Sequence, residues 1–250
     1  MEPPAEHKLL SEHALLIPDA SRRSSGYHAW KRALDIVGST ALILILLPIL
    51  PFIVLAIWVD SGRPIIYSQP RVRSRRVRVG DGWAWRLESF TFYKFRTMHD
   101  GANPTTHRQY MEAYINGDEG KLAELRPSHQ DGPSYKLSED SRITRVGRVL
   151  RSTSVDELPQ LWNVLLGHMS LVGPRPPIPY EVRMYRPQDM ARFAAKPGIT
   201  GLWQVSGRSE LSFDSMVALD VDYIHRQSIL LDLSILVRTL PAVISGKGAG

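Results

Sequence analysis

Residues 36–59 contain no charged side chain, and two prolines, Pro48 and Pro51, stand in the middle of this run. At about 1.5 Å per residue a helix this long would cross a hydrocarbon core of about 30 Å, so hydropathy alone reads it as a transmembrane helix. Each proline removes a backbone donor and crowds the preceding turn, which predicts a sharp bend at that point. Cations flank the run on both sides: Arg22, Arg23, Lys31 and Arg32 before it, Arg63 and the cluster from Arg71 to Arg78 after it. The positive-inside rule would keep both flanks cytoplasmic. A helix that enters, breaks at the prolines and returns to the same face satisfies both observations. The carbonyls freed near Ile45 and Leu47 then need internal partners or water.

The rest of the chain reads as a polar globular part. The first residues are polar and mixed in charge, with no apolar run directly after a basic start, so 1–27 is expected to be a mostly disordered tail rather than a signal peptide. The membrane segment is expected over 28–62 and a cytoplasmic domain over 63–250. Alternation in "RVRVG" and "WAWRLESFTFYKF" predicts short strands joined at Gly80-Asp81-Gly82. Residues 100–140 read as a loop-rich insert with short helices near 108–114 and 119–125. Further helices are expected near 145–151 and 158–166, and the C-terminal run from 219 as an amphipathic helix that lies on a membrane surface. The fold class is therefore α+β: one re-entrant membrane helix, interfacial amphipathic helices and a small domain with short strands. The 250 residues carry a formal charge of +6, which points to an anionic partner. There is no cysteine, which excludes disulfides, thiolate zinc sites and a cysteine nucleophile.

Within "STSVDELPQLWNV" two carboxylates, Asp156 and Glu157, stand side by side. Ser154 to Glu157 fits an S-x-x-E capping box, and Pro159 suits a first helical turn, so a helix start accounts for the pair on its own. The surroundings add a second reading. Arg142, Arg145, Arg148 and Arg151 precede the pair, Arg175 follows in "GPRPP", and Lys94 and Arg96 lie in "YKFRTM". Cations converging near a helix N-terminus suit phosphates. A carboxylate that also binds Mg²⁺ can approach a phosphate and attack it, with Lys and Arg stabilising the oxygens that gain charge.

The stretches "KRALDIVGS", "YKFRTM", "SRITRVGRVLRSTSVDELPQLWNVLLGHMSLVGPRP", "KPGITGLWQVSGR" and "LDLSILVRTLPAVISGKGA" together resemble the bacterial sugar transferases, the monotopic polyprenyl-phosphate phosphoglycosyl transferases, over about 28–249. The resemblance implies transfer of sugar-1-phosphate from a UDP-sugar to polyprenyl phosphate, with UMP released and a phosphosugar held on the enzyme in between. This is the first membrane step of exopolysaccharide, O-antigen or related glycan assembly. It implies Asp156 as nucleophile, Glu157 as its metal or proton partner, Mg²⁺ held by both, and Arg151, Arg175, Pro176, Lys94, Arg96 and Arg145 as phosphate or substrate contacts. It also implies residence at the bacterial inner membrane with the catalytic part facing the cytoplasm; a homodimer stays open. Where better-known members break the membrane helix at Ser-Pro, this chain has Leu47-Pro48, with Pro51 one turn later. The resemblance reads the chain as a minimal form with an extra polar tail.

Other residues keep two readings. Gly198, Thr200, Gly201 and Gln204 form a glycine-punctuated loop that either lets backbone approach the nucleotide or simply turns. His168 and His225 lack paired metal-ligand spacing and read as surface or hydrogen-bonded residues. Trp58 reads as an interfacial anchor, and Trp83 and Trp85 as packing. The Arg71–Arg78 cluster reads as a head-group contact. An inactive membrane-anchored scaffold of the same family is the alternative function, and a nucleic-acid binder is disfavoured because no nucleic-acid motif is recognisable.

Overall fold

The computed structural model describes residues 15–19, 23–99, 104–125, 142–207 and 211–244. Most of the expected tail and much of the 100–140 insert lie outside these residues. Inside the expected tail, β1 (Leu16–Pro18) pairs antiparallel with a strand of the hairpin below, Ile17 opposite Trp85. Ile17 is buried there, so this short apolar triplet belongs to the core.

The apolar run forms two helices, α1 (Ser25–Leu46) and α2 (Leu50–Ser61), bent by 67° across Leu47–Ile49. The two prolines have different parts in this. Pro48 lies in the break, whereas Pro51 lies in the first turn of α2, where its missing N–H leaves no bond unmade. No single helix among the described residues is long and apolar enough to cross a membrane; the bent pair meets that test only when taken together. The sidedness of α1 is inverted relative to a soluble amphipathic helix. Its buried residues are polar, Lys31, Asp35 and Ser39 at i, i+4 and i+8. Trp30, Val37, Leu44 and Ile45 are exposed, as are Phe52, Trp58 and Val59 on α2.

The alternating segment folds into one hairpin, β2 (Ile66–Val79) and β3 (Gly82–Phe95). The turn is where the glycines predict it, with Gly80 at φ 57°. The strands are far longer than expected, 14 residues each, and register runs from Ile66 opposite Phe95 to Val79 opposite Gly82. Val72, Trp85, Leu87, Phe90 and Phe92 of this hairpin form the main core with Leu161, Val164 and Met169.

Part of the insert is helical: α3 (Pro104–Asn116) and α4 (Glu119–Leu125) meet the expected pair, α3 being longer than read. Tyr110, Met111 and Tyr114 pack there on Trp203, Phe213 and Met216 in a second core. Next come α5 (Arg145–Ser152), a 3₁₀ turn (Val155–Glu157) and α6 (Gln160–Leu165). β4 (Ser170–Val172) runs parallel to β5 (Gly198–Thr200). Between them lie α7 (Pro179–Val182) and a 3₁₀ segment, Pro187–Phe193; α8 (Leu202–Ser206) follows β5. The C-terminal run is not one helix but two, α9 (Phe213–Arg226) and α10 (Ile229–Ile244), separated where Gln227 leaves helical geometry at ψ 124°. Asp232, which as a charge interrupts the apolar run, is fully buried and paired with Lys31 at 2.8 Å.

Candidate active site

The Asp156-Glu157 pair lies in the 3₁₀ turn between α5 and α6, and the turn begins with an unusual residue. Ser154 has φ 56°, the one described non-glycine residue with positive φ. An N-cap needs extended backbone, so the capping box read from S-x-x-E does not form. The hydroxyl of Ser154 makes no cap bond, and the Glu157 N–H instead donates to the Ser154 carbonyl at 3.2 Å. A non-glycine residue held there costs about 1–3 kcal/mol and marks functional turns. Asp156 is buried and Glu157 half-buried.

Several of the expected cations converge on this turn. Arg175 Nη1 donates to Glu157 Oε1 at 3.3 Å. Lys94, near the end of β3, is half-buried, and loss of water holds its ammonium well below the usual lysine range, at about 8; Asp156 opposes that shift, whereas Arg151, Arg71 and Arg175 reinforce it. Lys94, Arg151, Arg175, Asp156 and Glu157 therefore share one electrostatic neighbourhood. Pro176 enters through its carbonyl, which accepts from Arg71 Nη1 at 2.9 Å, while the Val72 N–H donates to the Pro177 carbonyl at 2.9 Å. The proline-rich loop is thus stitched to β2 with Arg175 held toward Glu157.

Other expected residues have contacts elsewhere. Arg96 is buried and donates to the carbonyls of Ser61 and Arg63, which secures the C-terminal end of α2. Arg145 is exposed and lines a groove between α2 and α5 with Asp60 and Thr144. The glycine loop braces the Arg175 loop: a Cβ on Gly198 would fall 2.1 Å from the Gly173 nitrogen, and one on Gly201 2.5 Å from the Gly173 oxygen. Close backbone approach accounts for both glycines. The Gly173 N–H donates to the Thr200 carbonyl, and the Gly198 N–H to that of Pro174, each at 2.8 Å. The Thr200 hydroxyl meets that of Thr239 on α10 at 2.8 Å, and Gln204 Nε2 donates to the Ile199 carbonyl at 3.0 Å. Trp85 and Trp203 are buried, and exposed Trp83 stacks under the Arg76 guanidinium at 4.3 Å. His168 packs edge-on to Phe90, and His225 is exposed.

Two residues join this neighbourhood unannounced by motif. Arg71 is buried, its guanidinium 5.2 Å from the Phe92 ring centroid. Its signal was register: once the turn is set at Gly80, Arg71 falls opposite Phe90. Glu181 is almost fully buried; desolvation raises its carboxyl above the usual range, against the pull of Arg71, Arg192 and Arg175, and its Oε2 accepts the Ile178 N–H at 3.1 Å.

Two adjacent carboxylates are the hard oxygen set that Mg²⁺ takes together with substrate phosphates. Among the described residues no group of three or more histidines, aspartates or glutamates gathers to form a complete cage.

Residues 26–246 match the family model described as bacterial sugar transferase. The galactosyl transferase CpsE of Streptococcus agalactiae is 41% identical over 88% of this chain and 43% of its own length. The exopolysaccharide production protein ExoY of Rhizobium meliloti is 32% identical over 88% of this chain and 87% of its own. The UDP-glucose:undecaprenyl-phosphate glucose-1-phosphate transferase of Caulobacter vibrioides is 36% identical over 88% and 71%. This chain spans less than half the length of several relatives, including CpsE and the UDP-galactose-lipid carrier transferase of Erwinia amylovora. The family match covers the bent helix pair, the hairpin and the whole Asp156 neighbourhood, and this chain belongs to the bacterial sugar transferase family.

Proposed function

We propose that the protein transfers sugar-1-phosphate from a UDP-sugar to a polyprenyl phosphate at the cytoplasmic face of the bacterial inner membrane. The observation that carries this is a buried Asp156 beside a Glu157 paired with Arg175, with Lys94 feeling the charges of Asp156, Arg151 and Arg175. The relatives named as undecaprenyl-phosphate transferases act on substrates of this class.

In the first step an Asp156 carboxylate oxygen attacks the β-phosphorus of the UDP-sugar. The bond from that phosphorus to the bridging oxygen breaks, and UMP leaves with the electron pair. In the second step a phosphate oxygen of the polyprenyl phosphate attacks the phosphosugar on Asp156, and the carboxylate is released. Arg175, held by Glu157 and by the stitched proline loop, presents a planar fork to phosphate oxygens. Lys94 and Arg151 bring further positive charge to the transferring phosphoryl group. Mg²⁺ held by Asp156 and Glu157 would, when bound, neutralise phosphate charge. The lipid acceptor would reach the site along the exposed apolar residues of α1 and α2; Trp162 of α6 and Leu230 and Val237 of α10 are exposed as well. An apolar surface of this extent marks a membrane or protein contact.

The test is UMP release by detergent-purified protein from a panel of UDP-sugars, with and without polyprenyl phosphate. At least one sugar should give UMP and a polyprenyl-diphospho-sugar. EDTA should stop the reaction and magnesium restore it. Binding of a UDP-sugar without turnover would favour the inactive scaffold, and activity unaffected by EDTA would remove the metal.

A further inference from the structure

A second polar cavity of about 500 Å³ lies between the base of α1, the middle of the hairpin and the chain after α6. The dyad precedes α6, whereas this cavity is lined by Gly167 and His168, which follow it. Six side-chain atoms of its lining are buried without a hydrogen-bond partner: Ser74 Oγ, Arg73 Nε, Trp85 Nε1, Gln227 Nε2, His28 Nε2 and His168 Nδ1. Ser74, Trp85 and Gln227 are each 2% exposed. A buried polar atom left unmade costs about 1–3 kcal/mol, so this concentration calls for a common partner.

The charge around the cavity says what kind. Lys31 is paired with Asp232, Arg73 with Glu88 and Arg76 with Asp19, each at 2.8 Å. Asp35 also lines the wall, but its Oδ1 already accepts from Ser170 Oγ at 2.8 Å and the Leu171 N–H at 2.9 Å. Arg32 donates to the carbonyls of Val164 and Leu165 and has no carboxylate within ion-pair range among the described residues. Lys196 has no such partner among them either; desolvation lowers its ammonium, and Arg32, Arg73 and Lys31 lower it further against Asp35. Asp35 offsets part of the charge of Lys196, but Arg73 and Arg75 share the single carboxylate of Glu88, so the wall stays net positive. Water could satisfy the orphaned N–H and O–H groups but would not balance that charge. An anion with several oxygens does both.

We propose that this cavity is a binding site, separate from the Asp156 dyad, for a small phosphorylated molecule of the size of a nucleotide or hexose phosphate. Its phosphate meets Lys196 and Arg32, and its hydroxyl or amide groups meet Ser74, Gln227 and Trp85. The site sits where α1 joins the β4 end of the Arg175 loop, so an occupant would brace that joint.

Isothermal titration calorimetry on the full chain in detergent tests this, with inorganic phosphate, UMP and glucose 1-phosphate as separate probes. An Arg175→Ala background disables the dyad neighbourhood. In that background at least one probe should bind saturably at one site. Adding Lys196→Met should weaken it about ten-fold or more. The relative affinities of the three probes separate free phosphate from a nucleotide or a sugar phosphate. Ser74→Ala, which removes a single hydroxyl, serves as the second variant should Lys196→Met fail to melt cooperatively; it should weaken the same probe several-fold. Absence of binding by all three probes in the Arg175→Ala chain overturns the site, and so does binding that neither Lys196→Met nor Ser74→Ala weakens.

Discussion

Asp156 stands two residues beyond a serine with left-handed backbone, in a turn stitched to its surroundings by Arg175. Asp156→Asn keeps the shape and removes the anionic oxygen, so it should cut UMP release by several orders of magnitude while the melting transition stays in place. Mass spectrometry of wild type incubated with donor alone should find a phosphosugar on the peptide holding Asp156, and none on the variant. A variant that still turns over, or an adduct on Glu157, would move the nucleophile. Lys94 makes a prediction about pH. With its pKa pushed down to about 8, the free enzyme loses this positive charge as pH rises through about 8. The protonated form is the one that attracts phosphate, so kcat/KM should fall on the alkaline side with an apparent pKa near 8. Bound phosphate favours the ammonium, which should move the corresponding limb of kcat to higher pH. Lys94→Arg keeps its charge across this range and should lose the limb, whatever its absolute rate. A limb unchanged in Lys94→Arg would assign it to another group.

At the scale of elements, what could be read in advance was what short-range chemistry decides. Period-two alternation and Gly80-Asp81-Gly82 specify the hairpin, and Pro48 specifies the break between α1 and α2. The missed features depend on distant partners. Ser154 to Glu157 has the residues of a capping box, but the path into Asp156 sets Ser154 at φ 56° and forbids one. No glycine or proline announces the break at Gln227, and neither Arg71 nor Glu181 carries a motif. Motif and resemblance single out the dyad and Arg175, whereas the bonds that Arg96 donates to carbonyls 33 and 35 residues earlier leave no local pattern. Asp232 makes the same point: its partner Lys31 is 201 residues away. That ion pair, with the Tyr223 hydroxyl donating to Asp232 at 2.7 Å, ties α1 to α9 and α10. Lys31→Met should leave a buried carboxylate without its cation and cost about 3–5 kcal/mol. Thermal melting in detergent measures this, and Lys31→Met with Asp232→Leu should recover most of the loss. A single variant that melts like wild type would show the pair contributes nothing.

For the whole molecule, both arms of the apolar pair are fastened to one body. At the start of α1, Arg32 reaches the Val164 and Leu165 carbonyls at 2.6 and 2.7 Å, and Asp35 accepts from Ser170 and Leu171. At the end of α2, Arg96 holds the Ser61 and Arg63 carbonyls, and Asp60 accepts the Val146 N–H at 2.9 Å. If the pair enters a bilayer, two ends docked on the same globular part are expected to stay on one side of it. The positive charge on both flanks leads to the same expectation, which labelling can test. The native chain has no cysteine, so single cysteines report cleanly. In intact cells, Gly26→Cys and Ser61→Cys should both resist a membrane-impermeant maleimide, and both should label once the membrane is opened. Replacing Pro48 and Pro51 together by leucine restores the donor missing from the break and gives position 51 the N–H that a continuous helix would need there, which favours a straight helix. That helix is long enough to span, but straightening it would tear either the Arg32 or the Arg96 anchor from its carbonyls. The double variant should therefore either keep both cysteines protected, the anchors prevailing, or lose protection at one end together with thermal stability. Labelling at Gly26 alone in the otherwise native chain would mean an ordinary span, and re-entry would have to be abandoned.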